Sequence, residues 1–179
     1  LEEAIYELAQ VEVDAKKYKK TKVLGNKSDN ENVIANFSDN LLGTELGIHI
    51  KVKKKEVWIK EARFNIARNK LDTLVFRVNV YAMKGDEIGG KLLQENVIVE
   101  TDMRSGQLVV DLRDFNLIAT DDILLSLELL EHSSTEDLEG ALSFCANLLN
   151  GPLYMRSTSQ ADWHIEGKAG LLKVGVGFN

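Results

Sequence analysis

The feature that most constrains the fold is an alternation of side chains along "DTLVFRVNVYAM", residues 72–83. Successive side chains of an extended strand point to opposite faces of a sheet, whereas an amphipathic helix repeats its apolar residues every three or four positions. Arg77 and Asn79 are embedded in this apolar stretch, and we interpret them as members of a polar network between strands. The stretch predicts a β-strand with one face formed by Leu74, Phe76, Val78, Val80 and Ala82.

The same alternation recurs along the rest of the chain. In "DDILLSLELLE", for example, Ile123, Leu125 and Leu127 share one parity. A bulge or bend near Lys60 would reconcile the two parities of "WIKEARFNI". We expect an all-β fold, a two-sheet antiparallel β-sandwich of jelly-roll type, with short turn-rich links such as "KGDEIGG". Its eight or nine predicted strands are 46–53, 58–66, 72–83, 92–100, 106–112, 121–131, 141–149, 153–157 and 171–178.

The first forty residues depart from this pattern. They are basic in "KKYKKTK" and then polar in "GNKSDNENVIANFSDN". We interpret residues 1–40 as a linker or tail, partly disordered or packed against the domain, and residues 41–179 as the β-sandwich domain. The chain begins at Leu1 without the basic-then-apolar pattern of a signal peptide, so we expect it to be a piece of a longer protein.

Composition excludes several classes of function. Hydrophobic residues make up 44% of the 179 and charged residues 28%, which is typical of a globular domain. The formal net charge of -6 is opposite in sign to that of most duplex-binding domains, so we expect no nucleic-acid partner. No apolar run approaches the roughly 20 residues that span a bilayer. A membrane-spanning segment is therefore not expected.

Neither a disulfide nor a metal site is expected. The one cysteine, Cys145, lies in the apolar run "ALSFCANLL", and we interpret it as a small buried side chain rather than a reactive thiol. His49, His132 and His164 are far apart in the sequence, which does not favour a metal cluster. A group of aspartates could hold calcium, but turn formation explains these residues better; they are Asp111, Asp114, Asp121 and Asp122. We predict no metal and no cofactor.

Motifs of catalysis are missing as well. The chain contains no G-x-S-x-G elbow, no Gly-rich phosphate loop and no H-E-x-x-H pair. No acid and base can be paired from the sequence. The sequence therefore predicts that the protein is not an enzyme.

The stretch "LYMRSTSQADWHIEG", residues 153–167, concentrates the side chains that could bind a ligand. In a strand over 153–157, Tyr154 and Arg156 share a face, and Trp163 follows about one turn later. A sugar ring could stack on Tyr154 or Trp163 while Arg156 and Gln160 donate hydrogen bonds to its hydroxyls. Alternatively, Trp163 closes the end of the core, and Arg156 stacks on Tyr154 or pairs with Glu166. The sequence leaves both interpretations open.

The order of the segments resembles a known family. "LAQVEVDAKK" at Leu8–Lys17 is similar to the "L-x-E-V-V-V-x-A" segment that follows the carboxypeptidase-like regulatory domain of many Bacteroidetes surface proteins. After it, "ELGIHIKVKKK", "LVFRVNVY", "LLSLELLE", "YMRSTSQADW" and "VGVGFN" resemble, in order, the region C-terminal to that domain. The resemblance covers nearly the whole chain, although "EVDA" places charge where the family segment is apolar. It implies an exported protein, periplasmic or associated with the outer membrane, with a non-catalytic accessory role.

Three functional hypotheses follow from these observations. The first is a non-enzymatic binding or assembly module of a bacterial envelope protein, with a glycan or an envelope protein as its partner. The second is a carbohydrate-binding module that uses Tyr154, Arg156, Gln160 and Trp163. The third, a different class, is a hydrolase with a site assembled from Ser159, Asp162 and His164. The sequence does not predict an oligomeric state.

Overall fold

The computed structural model describes residues 18, 20–36, 42–53, 56–133, 140–147, 152–166 and 175–176. Regular structure in these residues is almost entirely β, with one short 3₁₀ turn at Arg113–Phe115. The strands are β1 (Ile34–Asn36), β2 (Glu45–Ile50), β3 (Val57–Trp58), β4 (Glu61–Asn69), β5 (Leu74–Lys84), β6 (Glu87–Lys91), β7 (Val97–Thr101), β8 (Gly106–Asp111), β9 (Ile118–Ala119), β10 (Asp122–His132), β11 (Leu142–Asn147), β12 (Leu153–Arg156), β13 (His164–Glu166) and β14 (Gly175–Val176).

The larger sheet has the order β13-β12-β2-β10-β5, and β6 and β7 pair with successive halves of the far edge of β5. All of its pairings are antiparallel. At its centre, Leu125 of β10 lies opposite Ile48 of β2 and Val80 of β5. Strands that are distant in sequence are therefore neighbours, and this brings together residues that no local motif connects.

The smaller sheet has the order β1-β11-β4-β8, with β14 also paired with β11. A separate pair of short strands, β3 and β9, precedes β4 and β10 along the chain. The two residues between β3 and β4, Ile59 and Lys60, leave the strand conformation. This break agrees with the bend predicted near Lys60.

One hydrophobic core lies between the two sheets. It contains alternate residues of β2, β5 and β10 from the larger sheet and of β4, β8 and β11 from the smaller one. Phe76 of β5 and Phe144 of β11 meet across the core, with ring centroids 6.3 Å apart. Each such side chain contributes about 1.5–3 kcal/mol by leaving water. The predicted all-β, sandwich-like architecture is confirmed, while its assignment as a jelly roll stays a prediction.

Most of the predicted strands are present with shorter bounds, and one link was assigned wrongly. "KGDEIGG" was expected to be a connection, but it contains strand β6 of a tight β5–β6 hairpin. Gly85, in the turn, has φ +63°, a conformation that glycine adopts without steric cost. The strand predicted over 92–100 begins only at Val97, and before it the backbone N–H groups of Leu92 and Leu93 both donate to the carbonyl oxygen of Val80.

Part of the expected tail belongs to the sandwich. β1 pairs with β11, and the Ser28 hydroxyl donates to the Ala146 carbonyl oxygen at 2.7 Å. The side-chain amide of Asn65 donates to the Ser28 carbonyl oxygen, also at 2.7 Å. The domain thus begins before the boundary expected near residue 40. Of the strand predicted over 171–178, only Gly175 and Val176 lie in the described part, and they form β14.

No helix in the described residues has the length and apolar character needed to cross a bilayer.

Candidate functional site

The larger sheet has an outer face, turned away from the core, that carries an unusual set of polar residues. We call this set the outer network; it comprises Glu45, Arg77, Asn79, Tyr81, Lys91, Ser126, Glu128 and Arg156. Six of these side chains lie on the apolar strands β2, β5 and β10 at the parity opposite to the core residues, so the pleat points them outward. Yet most are at least nine-tenths buried. Burying that many polar groups is tolerated only when they satisfy one another.

Strand register places four charged residues of the outer network in one row. Arg156 lies opposite Glu45, Glu45 opposite Glu128, and Glu128 opposite Arg77. Directly opposed side chains in an antiparallel sheet have Cβ atoms about 4.5–5.5 Å apart. Two carboxylates thus lie side by side and an arginine flanks each of them. The positive charge at each end of the row offsets the repulsion between the two central carboxylates.

Glu45 is the centre of the outer network and has 0% exposure. Its Oε2 accepts from Nε of Arg156 at 2.8 Å and also from Nη2 of the same guanidinium. Its Oε1 accepts from the amide of Asn79 at 2.9 Å, from the Tyr81 hydroxyl at 3.1 Å and from the Ser126 hydroxyl. A two-point arginine contact and three further donors saturate this carboxylate.

Glu128 and Asn79 extend the outer network toward the β7 side of the sheet. Oε2 of Glu128 accepts from Nη1 of Arg77 at 2.9 Å and from the amide of Asn79 at 3.3 Å. Asn79 therefore bridges both glutamates, and its own carbonyl oxygen accepts from Lys91 Nζ at 2.9 Å. The interpretation of Arg77 and Asn79 as members of an inter-strand polar network agrees with these contacts.

Tyr81 links the outer network to the aromatic residues. Its hydroxyl donates to Glu45 and accepts from Nη2 of Arg156 at 2.8 Å. Burial raises the pKa of Tyr81 above its ordinary value of 10.0, and the negative charge of Glu45 raises it further. The phenol is therefore held neutral as both donor and acceptor.

Gly47 provides the space in which the outer network packs. A Cβ atom at this position would lie 2.9 Å from Cβ of Ser126 and 3.1 Å from the carbonyl oxygen of Leu125. Carbon atoms do not approach one another so closely in real structures. The neighbouring strand, β10, would therefore have to move. The glycine is thus required where β2 approaches β10 beside the Ser126 hydroxyl.

A small apolar cluster adjoins the outer network on the same face. Buried Tyr81, Met83, Leu124 and Tyr154 form it, and three partly buried residues pack against it: Ile88, Trp163 and Ile165. The Tyr154 hydroxyl is buried, and no described residue forms a hydrogen bond with it. Burial raises the pKa of Tyr154, with a smaller contribution from the charge of Asp86.

Trp163 closes this face over Arg156 and Tyr81. The Arg156 guanidinium carbon lies 4.4 Å from the Trp163 ring centroid, and the Trp163 and Tyr81 rings meet edge to face at 5.8 Å. Arg156 also donates from Nη1 to the Ser159 carbonyl oxygen at 2.8 Å, which ties down the loop between β12 and β13. A cation stacked on an indole is favourable by about 0.5–2 kcal/mol.

The four residues predicted to bind a ligand do not share one environment. Tyr154 has 0% exposure and Arg156 has 8%, so neither offers a free surface. Gln160 is exposed and Trp163 is half-buried. The alternative interpretation expected Arg156 to stack on Tyr154 or to pair with Glu166, but its stacking partner is Trp163 and its carboxylate partner is Glu45. The accessible part of the predicted site therefore consists of Trp163 and Gln160.

The residues named for a hydrolase are not assembled into a catalytic arrangement. Ser159, Asp162 and His164 are exposed, and no hydrogen bond or ion pair of the described structure joins their side chains. A histidine–carboxylate contact occurs instead between Nε2 of His49 and Oδ2 of Asp122, at 2.7 Å. Partial burial opposes ionisation of Asp122, but hydrogen bonds from the Val52 N–H and from His49 outweigh it and lower its pKa.

Cys145 and Asp111 were also singled out in the sequence, and the structure accounts for both. Cys145 is buried, and burial raises its pKa, as expected of an unreactive thiol. Among the four aspartates, Asp111 accepts from Nε of Arg113 at 2.9 Å, and this contact lowers the pKa of Asp111 to about 2. In the described residues, no three acidic, histidine or cysteine side chains gather as metal ligands.

Sequence reasoning missed the centre of the site. Glu45, Ser126 and Glu128 were not among the residues predicted to form a site, although they are buried at its centre. A signal was available, since polar residues recur at outward parity within strongly apolar strands. It could not identify their partners, because the order of β12, β2, β10 and β5 in the sheet does not follow the sequence.

Comparison with known proteins adds no relative to this description. No family model, no curated protein and no solved structure matches the chain. The resemblance to the region after the carboxypeptidase-like regulatory domain stays a prediction.

Proposed function

We propose that the chain is a non-enzymatic binding module, and that the surface around Trp163 on the larger sheet is its contact surface. The observation that carries the proposal is the two-point contact of Arg156 with Glu45, which fixes the guanidinium beneath Trp163. A half-buried indole held by a buried ion pair is a rigid, amphipathic contact residue. Exposed Gln160 precedes Trp163 by three residues in the chain, and Lys91 Nζ lies over the Tyr81 ring, which Trp163 contacts edge to face.

The burial and hydrogen bonding of Glu45 and Glu128 favour a role in binding over a role in catalysis. A general base or nucleophile needs a free lone pair within reach of a substrate. Both glutamates are buried beside an arginine, and Asn79 donates to each of them. Their role in this proposal is to position Arg156 and Trp163.

Trp163 specifically favours a glycan as the ligand. Sugar rings stack on indoles, and the accessible neighbours Gln160 and Lys91 could donate to hydroxyl groups. Tyr154 takes no part in the proposed contact, because it is fully buried. An envelope protein is the alternative partner. The location of the chain in an exported envelope protein, periplasmic or associated with the outer membrane, is proposed on the family resemblance alone.

The proposal is tested by tryptophan fluorescence. The chain has two tryptophans, so Trp58→Phe leaves Trp163 as the reporter. We expect one class of a broad glycan panel to change its emission in a saturable manner. Because Trp163→Ala removes the reporter, its binding of the same glycan is measured by titration calorimetry and should be lost. A panel without any saturable response would contradict glycan binding. Turnover of esters or glycosides that is lost on His164→Ala would overturn the non-enzymatic role and favour a hydrolase.

A further inference from the structure

Strand β8 is an edge strand that lacks the usual protection against pairing. On one side it pairs with β4 over six consecutive residue pairs, from Glu61–Asp111 to Ile66–Gly106, without a bulge. No described strand pairs with its other side. Natural edges are blocked by lysine, proline, bulges or short length. The sequence of β8, "GQLVVD", contains no lysine and no proline, and its pairing with β4 has no bulge.

The free edge of β8 offers an aligned row of backbone groups. The Leu112 N–H donates to the Lys60 carbonyl oxygen at 2.8 Å. This bond determines which residues of β8 direct their backbone N–H and C=O groups toward β4. Hydrogen-bonded pairs alternate along such a ladder. The residues whose backbone N–H and C=O groups point away from β4 are therefore Gln107, Val109 and Asp111. All three side chains are exposed, and Val109 is 50% exposed.

This row is complementary to itself. If two copies of β8 run antiparallel with Val109 opposite Val109 of the second copy, Gln107 lies opposite Asp111 of the second copy. The exposed valines then cover each other, and no two like charges are opposed. Three pairs exchange both backbone hydrogen bonds in this register. A twofold axis through Val109 closes the assembly as a dimer, because the same edge is used by both copies.

From this geometry we infer that β8 pairs with β8 of a second copy, joining the two smaller sheets into one continuous sheet. One edge strand of the larger sheet, β7, is less suitable. Pairing β7 with itself about its central Val99 would set the apolar Ile98 against Glu100 of the second copy. The inferred dimer is independent of the surface around Trp163, which lies on the other sheet.

Sedimentation velocity over roughly a hundredfold range of concentration tests the inference, since self-association follows mass action. We expect a shift from 20.0 kDa toward twice that mass. Val109→Pro removes an N–H that faces away from β4 and should give a monomer at all concentrations. Val109→Thr retains the N–H and the branched shape, and should still dimerise. Circular dichroism of both variants checks that the sandwich is folded.

Cross-linking supplies a second measurement. Val109→Cys should form a disulfide dimer on mild oxidation, because opposed Cα atoms lie about 5.5 Å apart and the native Cys145 is buried. Ile34→Cys is the control, since Ile34 is 40% exposed on another strand of the same sheet and should cross-link slowly. A wild-type chain that stays monomeric would overturn the inference. So would a Val109→Pro dimer, or equal cross-linking rates for the two cysteine variants.

Discussion

The two faces of the larger sheet are built from the same strands but are held by different physical interactions. The inner face is apolar and packs against the smaller sheet, so its stabilisation is non-directional and follows buried area. The outer face buries charges, and its stability depends on each donor having its acceptor. Adjacent residues of β10 show the contrast: Leu127 faces the core, whereas Ser126 donates to Glu45.

This difference predicts different tolerance to substitution. An apolar core accepts changes that conserve volume, because any well-packed hydrocarbon replaces another. A buried ion pair does not accept the loss of one partner, because the remaining charge is left desolvated. Substitutions on the outer face should therefore destabilise the fold more than volume-conserving substitutions on the inner face, although each polar group buries little area.

The largest expected loss of folding stability is that of Arg156→Met. Removing the guanidinium leaves Glu45 charged in a fully buried position, which costs about 3–5 kcal/mol. Urea unfolding measures this loss, and an unchanged m-value shows that the folded state is otherwise the same.

The double variant Glu45→Gln/Arg156→Met is the control for that prediction. It removes both charges and retains donors and acceptors for the neighbouring residues. We expect it to be more stable than Arg156→Met alone, since the unpaired carboxylate is gone. A double variant less stable than the single one would mean that Asn79, Tyr81 and Ser126 satisfy the Glu45 carboxylate without Arg156, so that an unpaired charge is not the source of the loss.

The inner face was the part of the molecule that the sequence could predict. Its strands alternate with period two, and the parity that contains Phe76, Val78 and Val80 is the one that faces the core. Local periodicity determines which way a side chain points, so no knowledge of the partner strand is needed. The one wrong link, "KGDEIGG", failed because a tight hairpin and a loose connection share glycine and acidic residues.

The outer face could be predicted only in part. The grouping of Arg77 with Asn79 is local and was found, but the pairing of Glu45 with Arg156 joins positions 111 residues apart in the chain. Tyr154 and Arg156 were correctly placed on one face of a strand. Their burial was not predicted, because Leu124 and Tyr81 of other strands pack with Tyr154, and Glu45 of β2 binds Arg156.

A matched pair of substitutions on β10 compares the two faces directly. We expect losses of stability smaller than that of Arg156→Met. Ser126→Ala removes one donor to Glu45 and leaves that oxygen with fewer partners, at a cost of about 1.5–3 kcal/mol. The adjacent Leu127→Met conserves volume in the core and should cost less than about 1.5 kcal/mol. Both values come from urea unfolding at one pH. If Leu127→Met were the more damaging of the two, the proposed difference in tolerance would be wrong.

The smallest effect at neutral pH is expected within the outer face itself, where Tyr81 and Tyr154 are both buried. Tyr154→Phe removes a hydroxyl that no described residue bonds, so stability should be unchanged or slightly higher. Tyr81→Phe removes a donor to Glu45 and an acceptor for Arg156, and should destabilise the fold by about 1–3 kcal/mol.

Alkaline pH distinguishes the two tyrosines further. Because the folded-state pKa of each is raised above 10.0, the folded chain keeps protons that the unfolded chain releases. Their stabilising contribution is complete below pH 10.0 and falls as the pH rises toward the folded-state pKa, by about 1.4 kcal/mol per pH unit for each group. Unfolding measured on both sides of pH 10.0 should show a shallower alkaline loss in either phenylalanine variant than in the wild type. An unchanged slope in both variants would mean that neither phenol is protected by the fold, and that the outer face is open to water.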